Sequence, residues 1–162
     1  MRVPAIATCL RDVARHGSCI TELQLSKSSD LVCRQLMCEH VGDACSCRLA
    51  LALERVPHLR HLDLSRNQLR MLPDAVYALQ SLKTLNVQQN QLTTLSTHVQ
   101  NLTQLQTLDM RHNQCKTLPV QQLETLERLQ TVRIGGNKHL IQALENQELM
   151  LSDELLHKLV LT

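Results

Sequence analysis

Trp and Phe are absent from this 162-residue chain, Tyr77 is its one aromatic residue, and Gly and Pro occur four times each. A core without aromatic rings must be filled by aliphatic side chains, and 33 leucines supply them. So few glycines leave no glycine-rich phosphate loop. No apolar run approaches the roughly 20 residues that span a bilayer. Charge of one sign is also lacking: 17 Lys and Arg are interspersed with 15 Asp and Glu, for a net charge of +2. No strong field therefore points to nucleic acid or to an acidic surface. Eight His are present, but no HExxH-type ligand pair, and no catalytic constellation stands out. Arg2, Arg11 and Arg15 precede no long apolar stretch, which argues against a secretory signal. A cytoplasmic protein is expected, with a mitochondrial address as the alternative reading of the basic start. At this length one domain is expected.

What the chain has in abundance is repetition. LRHLDLSRNQLRML from Leu59 returns as LKTLNVQQNQLTTL from Leu82, LQTLDMRHNQCKTL from Leu105 and LQTVRIGGNKHL from Leu129, at steps of 23, 23 and 24 residues. Within each copy apolar residues fall at offsets 0, 3 and 5, and Asn67, Asn90, Asn113 and Asn137 fall at offset 8. A fixed period of this size signals a stacked-repeat architecture. The residues at offsets 3 and 5 alternate with polar ones, as a half-buried strand requires. Each strand is too short to stand alone, so stacking into a parallel sheet with continuous Leu rows is expected. The Asn is expected to turn inward and satisfy backbone groups of neighbouring turns. After each strand, apolar steps of three and four, such as Val76, Leu79 and Leu82, predict a short helical turn facing the core.

The frame LxxLxLxxNxL over residues 59 to about 140 resembles the leucine-rich repeat. LPDAVYALQSL resembles the 23-residue intracellular class found in Ras-pathway scaffold proteins and related cytosolic adaptors. The expected fold is α/β: a short horseshoe solenoid with a parallel sheet on its concave face and helical caps at both ends. Residues 59–150 hold the four repeats. Residues 1–58 read as an N-terminal cap with a helix opening at Pro4 and carrying Ile6, Leu10 and Val13 on one side. Ile20, Leu23 and Leu25 then form a degenerate first repeat with Ser28 in the Asn position. Its long excess reads as a short helix, a Gly42 break and a helix from about Ser46 to Val56. Residues 151–162 read as a capping helix with Ser152 as N-cap and Leu155, Leu156 and Leu159 over the last Leu row.

Seven cysteines are present, four of them (Cys33, Cys38, Cys45 and Cys47) around His40. Disulfides are not expected without a secretory signal. Zinc is the sharper alternative, yet C-x4-C-x-H-x4-C-x-C lacks the paired CxxC knuckles that present two ligands together. Buried thiols without a metal or other cofactor are therefore the expectation. Cys115 stands where Leu69 and Leu92 stand in other copies, and reads as a small buried apolar residue.

Function is expected in the variable letters between the Leu and Asn positions. The candidate partner-binding residues are His61, Asp63, Arg66, Asn86, Gln88, Gln89, Asp109, Arg111, His112 and Arg133, all read as exposed on the concave side. Arg66, Arg111 and Arg133 are the expected anchors, since Arg is enriched at binding hot spots and pairs bidentately with carboxylates. Five strands about 4.8 Å apart make a face of roughly 20 by 14 Å. That is well below the roughly 800 Å² per partner of a stable interface. The expected role is a non-enzymatic protein-interaction module or adaptor, with a small GTPase, a phosphatase or a complex subunit as the kind of partner the resemblance implies. The alternative is a structural or peripheral subunit of a larger, mitochondrial assembly.

Overall fold

The computed structural model describes residues 5–34, 37–38 and 45–161. Seven parallel strands form one open sheet in chain order: β1 (Ile6–Ala7), β2 (Glu22–Gln24), β3 (His61–Asp63), β4 (Thr84–Asn86), β5 (Thr107–Asp109), β6 (Thr131–Arg133) and β7 (Leu159–Val160). The helices are α1 (Leu10–His16), α2 (Cys47–Leu53), α3 (Asp74–Tyr77), α4 (Val120–Glu124), α5 (Lys138–Glu145) and α6 (Asp153–Lys158). A 3-10 turn at Thr97–Asn101 takes the convex position of its repeat.

Register follows the repeat. Leu23, Leu62, Leu85, Leu108 and Val132 lie in one row, each directly opposite the next. All five are at most 1% exposed, as are Leu25, Leu64, Val87, Met110 and Ile134 two residues later in each copy. From the other side Leu59, Leu82, Leu105 and Leu129 close the core beneath the helical turns. Each such side chain contributes about 1.5–3 kcal/mol by leaving water, which explains how a core with one aromatic residue holds. That residue, Tyr77, is buried, and its hydroxyl oxygen accepts the Ser96 N–H at 3.4 Å.

The asparagines form the expected ladder. Asn90 Nδ2 donates to Leu64 O in the preceding repeat and to Val87 O in its own, both at 2.9 Å. Its Oδ1 accepts the N–H groups of Asn67 and Leu69, both at 3.0 Å. Asn67, Asn113 and Asn137 repeat the scheme, and all four are at most 7% exposed. Ser28 is too short to join as a donor across the stack. Its N–H is taken by Asn67 Oδ1, and its hydroxyl accepts from Asp30 N–H to cap a 3-10 turn.

Both ends differ from expectation. Ile6 belongs to a strand, not to the first helix, and is 48% exposed. The physical reason is the open edge of β2: Thr21 and Glu22 N–H bond Ala5 O at 2.8 and 3.0 Å, so the chain stays extended until α1 begins at Leu10. At the other end α6 stops at Lys158, and Leu159–Val160 pairs with β6, with Ile134 N–H donating to Val160 O at 2.9 Å. Leu155 covers the core as expected; Leu156 is 51% exposed and Leu159 packs as a strand residue. The edges of β2 and β6 are thereby paired, and the sheet ends on two-residue strands, which leave little backbone to invite another chain. Toward the insertion, α2 ends at Leu53, short of Val56, although Leu53, Val56 and Leu59 are buried in the convex spacing. Gly42 and most of the short helix expected before it lie outside the described residues.

One backbone feature shapes the rim of the sheet. Lys27, Arg66, Gln89, His112 and Gly136, at offset 7 of successive copies, all take positive φ between 49° and 77°. The left-handed residue ends the strand ladder and turns the chain inward, so that the Asn one position later enters the core.

Candidate functional site

The polar face of the sheet divides into three groups. His61, Asp63 and Asn86 line a shallow depression of about 410 Å³ together with Glu22, Gln24 and Thr84. Glu22 and Asp63 make this end acidic. Gln24 Nε2 holds Glu22 Oε1 at 2.6 Å, and Asp63 Oδ1 accepts the Ser65 N–H at 2.8 Å. Glu22 and Gln24 join the candidates because β2 pairs in full register with β3; their place in the degenerate first repeat was the signal for it.

The second group surrounds Asp109. An exposed position was expected, but Asp109 is only 4% exposed. Arg111 folds back over it, donating from Nε to Oδ1 at 3.0 Å and from Nη2 to Oδ2 at 2.7 Å. Arg133, on the next strand, brings Nη1 to 3.6 Å of Oδ2. Gln88 Oε1 accepts from Arg111 Nη2 at 3.4 Å. Asp109 is thus a holder of guanidinium groups, not a group offered to a partner. Two guanidiniums against one carboxylate leave this end of the face positive.

The third group sits at the rim. Arg66 donates from Nε to Gln89 Oε1 at 2.6 Å, so these two side chains are joined across adjacent repeats. His112 is exposed and its ring lies over Gly136, where a Cβ would meet it. These rim residues stand apart from the Asp109 network.

A separate constellation lies in the insertion between β2 and β3. The Sγ atoms of Cys33, Cys38, Cys45 and Cys47 all fall within 4.8 Å of one another. Cys33 and Cys45 are buried, Cys38 and Cys47 half-buried. Burial and the contact with Cys47 push the Cys45 thiol above its ordinary value. The clustering along the chain had marked these four residues, though C-x4-C-x-H-x4-C-x-C lacks paired CxxC knuckles; the fold brings their sulphurs together all the same. His40 lies outside the described residues. Cys115 is fully buried in the Leu row, as expected; its thiol donates to Leu92 O at 3.3 Å, and burial raises its pKa to about 11.

Among the described residues no helix is long and apolar enough to cross a membrane. No curated protein matches the chain significantly. Among solved structures, a leucine-rich repeat protein of Leptospira interrogans superimposes with a TM-score of 0.58 at 20% identity, over 93% of this chain and 45% of that one. The present chain therefore spans under half of that protein's length, and the likeness is one of fold. The family profile described as leucine-rich repeat region matches residues 10–151. Solenoids of this kind are typically frameworks for protein binding and not catalysts. With its Leu rows, Asn ladder and parallel sheet, the chain belongs to the leucine-rich repeat family.

Proposed function

We infer that this chain is a cytoplasmic adaptor that binds a protein partner across β2 to β6. The observation that carries this reading is the polarity of the face, with Glu22 and Asp63 at one end and Arg111 and Arg133, held by Asp109, at the other. Guanidiniums already fixed by a buried carboxylate lose little freedom on meeting a partner's acidic groups, which favours affinity. The partner surface is therefore itself polar, acidic opposite β5 and β6 and basic opposite β2 and β3.

The five strands β2 to β6, about 4.8 Å apart and each offering roughly 14 Å of width, give a face on the order of 300 Å². That still falls short of the roughly 800 Å² of a stable interface. The partner accordingly also contacts the rim at Arg66 and His112 and the insertion before β3. A small GTPase, a phosphatase or a subunit of a complex meets these demands.

The test is affinity capture from native extract with the wild-type chain, a Glu22→Gln/Arg133→Gln double variant and a convex-side control, Gln121→Lys. A partner recovered by wild type and control, but reduced about tenfold with the double variant, supports the concave site. Equal recovery with all three moves the site elsewhere. Size-exclusion of the same extract separates an adaptor, running free at monomer mass, from a permanent subunit that co-elutes with a large complex.

A further inference from the structure

We propose that Cys33, Cys38, Cys45 and Cys47 form a structural zinc site that clips the insertion between β2 and β3 onto the solenoid. The neighbour distances are 3.0 Å for Cys45–Cys47, 3.7 Å for Cys38–Cys45 and 4.0 Å for Cys33–Cys47, between Sγ atoms. A tetrahedral shell with Zn–S bonds of about 2.3 Å has sulphur atoms about 3.8 Å apart. The four sulphurs are thus gathered at the spacing of a closed four-thiolate shell, needing shifts of only fractions of an ångström. Two disulfides would instead draw them into two pairs. Cys45 and Cys47 each have two close sulphur neighbours, which is sharing and not pairing.

The scaffold around the sulphurs is already tied down. Cys33 follows the 3-10 turn Ser29–Leu31, whose Leu31 is 1% exposed. Cys45 N–H bonds Leu31 O at 2.9 Å, and Cys47 opens α2, whose Leu49 is fully buried. Arg48 Nη1 reaches Asp30 O at 3.0 Å, crossing from one ligand segment to the other. Cys47 N–H points at Cys45 Sγ at 3.4 Å, as a backbone donor does to a metal-bound thiolate that retains lone pairs. Three ligands therefore stand on elements fixed by the repeat core, and Cys38 comes from the segment between them.

Soft thiolates in a tetrahedral set select zinc over hard divalent cations. Four protein ligands leave no open position, so the site is structural and not catalytic. Loading releases the thiol protons, up to four, and leaves the shell with a net charge of −2. The clip ties the turn that ends at Leu31 to the start of α2 at Cys47.

The test uses the untagged full chain, purified under reducing conditions without chelator. Metal analysis is expected to give one zinc per chain. Cobalt added to the chelator-stripped protein is expected to saturate at one equivalent with the intense ligand-field and charge-transfer bands of tetrahedral thiolate coordination. Cys38→Ser, at a half-buried position, is expected to keep the wild-type circular dichroism and to bind zinc more than about tenfold more weakly. Folded protein that holds no zinc and shows no cobalt bands overturns the proposal. So does an intact mass lower by two hydrogens per bridge, and so does wild-type zinc affinity in Cys38→Ser. If that variant does not fold, the wild-type cobalt titration decides alone.

Discussion

Arg111 and Asp109, two residues apart on β5 and its extension, are joined by three charged side-chain hydrogen bonds, at 3.0, 3.2 and 2.7 Å. The carboxylate is buried while the guanidinium stays partly in water, so the pair fixes a cation on the binding face. Asp109→Ala is expected to destabilise the fold by about 1–3 kcal/mol, the range for a lost hydrogen bond to a charged group. Urea unfolding measures this, and partner affinity is expected to fall with it because Arg111 and Arg133 lose their anchor. A variant of unchanged stability and affinity would show that the arginines need no such support.

The Asn ladder carries more energy per residue. Asn90→Ala leaves Leu64 O and Val87 O without their side-chain donor and the Asn67 and Leu69 N–H groups without an acceptor. Each buried unpaired group costs about 1–3 kcal/mol, partly relieved by water entry. A loss of roughly 3 kcal/mol or more in chemical denaturation is expected; under 1 kcal/mol would contradict the ladder.

The offset-7 column makes a backbone prediction. Gln89 holds φ at 53°, where a β-branched residue is strained. Gln89→Val is expected to lower stability by about 1–2 kcal/mol and Gln89→Gly to leave it nearly unchanged. The two melting temperatures, compared with wild type, provide the check. Equal losses would mean that side-chain contacts with Arg66, not φ, govern the site.

Alkaline stability follows from two buried acids. Burial raises Cys115 from 9 to about 11, and burial first of all raises Tyr77 from 10 to about 12. Both folded values exceed the unfolded ones, so the neutral groups favour the folded state fully below about pH 9. Stability is expected to fall as pH rises from 9 through 11 for Cys115, and from 10 through 12 for Tyr77. The Cys115 contribution is on the order of 2 kcal/mol. Cys115→Ala should flatten the first part of this decline in pH-dependent urea unfolding. An unaltered slope between pH 9 and 11 would refute the assignment.

The C-terminal cap offers a last test. Leu155 is 1% exposed, and Leu155→Ala is expected to cost about 2–4 kcal/mol. Leu156→Ala, at a position 51% exposed, should cost little. Removing residues 152–162 also uncovers the edge of β6 and is expected to lower the melting temperature and cause aggregation. Comparable effects of the two point variants would undo the assignment of Leu155 to the core.

How far the chain can be read without its fold depends on whether a residue's partner is its own copy. Leu62 packs on Leu85, and Asn90 bonds backbone one repeat away, because identical letters at a constant period stack on one another. The strands, the Leu rows, the Asn ladder and the burial of Cys115 were legible for that reason, as was the polar face containing His61, Asn86 and Arg133. Asp109 was misplaced because its burial comes from Arg111 and Arg133, whose side-chain directions no spacing encodes. Glu22 and Gln24 fall at offsets 2 and 4 of the degenerate copy, in the columns of His61 and Asp63, and the full register of β2 with β3 bears that alignment out.

The periodic sequence by itself thus determined a leucine-rich solenoid, since one repeated set of contacts builds its core. Only the tertiary structure decided what lies outside the period. Ile6–Ala7 and Leu159–Val160 became strands because the sheet had open edges whose backbone groups needed partners. Cys33, Cys38, Cys45 and Cys47 were a cluster along the chain, but only the backbone bond from Cys45 to Leu31 brings their sulphurs within 4.8 Å of one another.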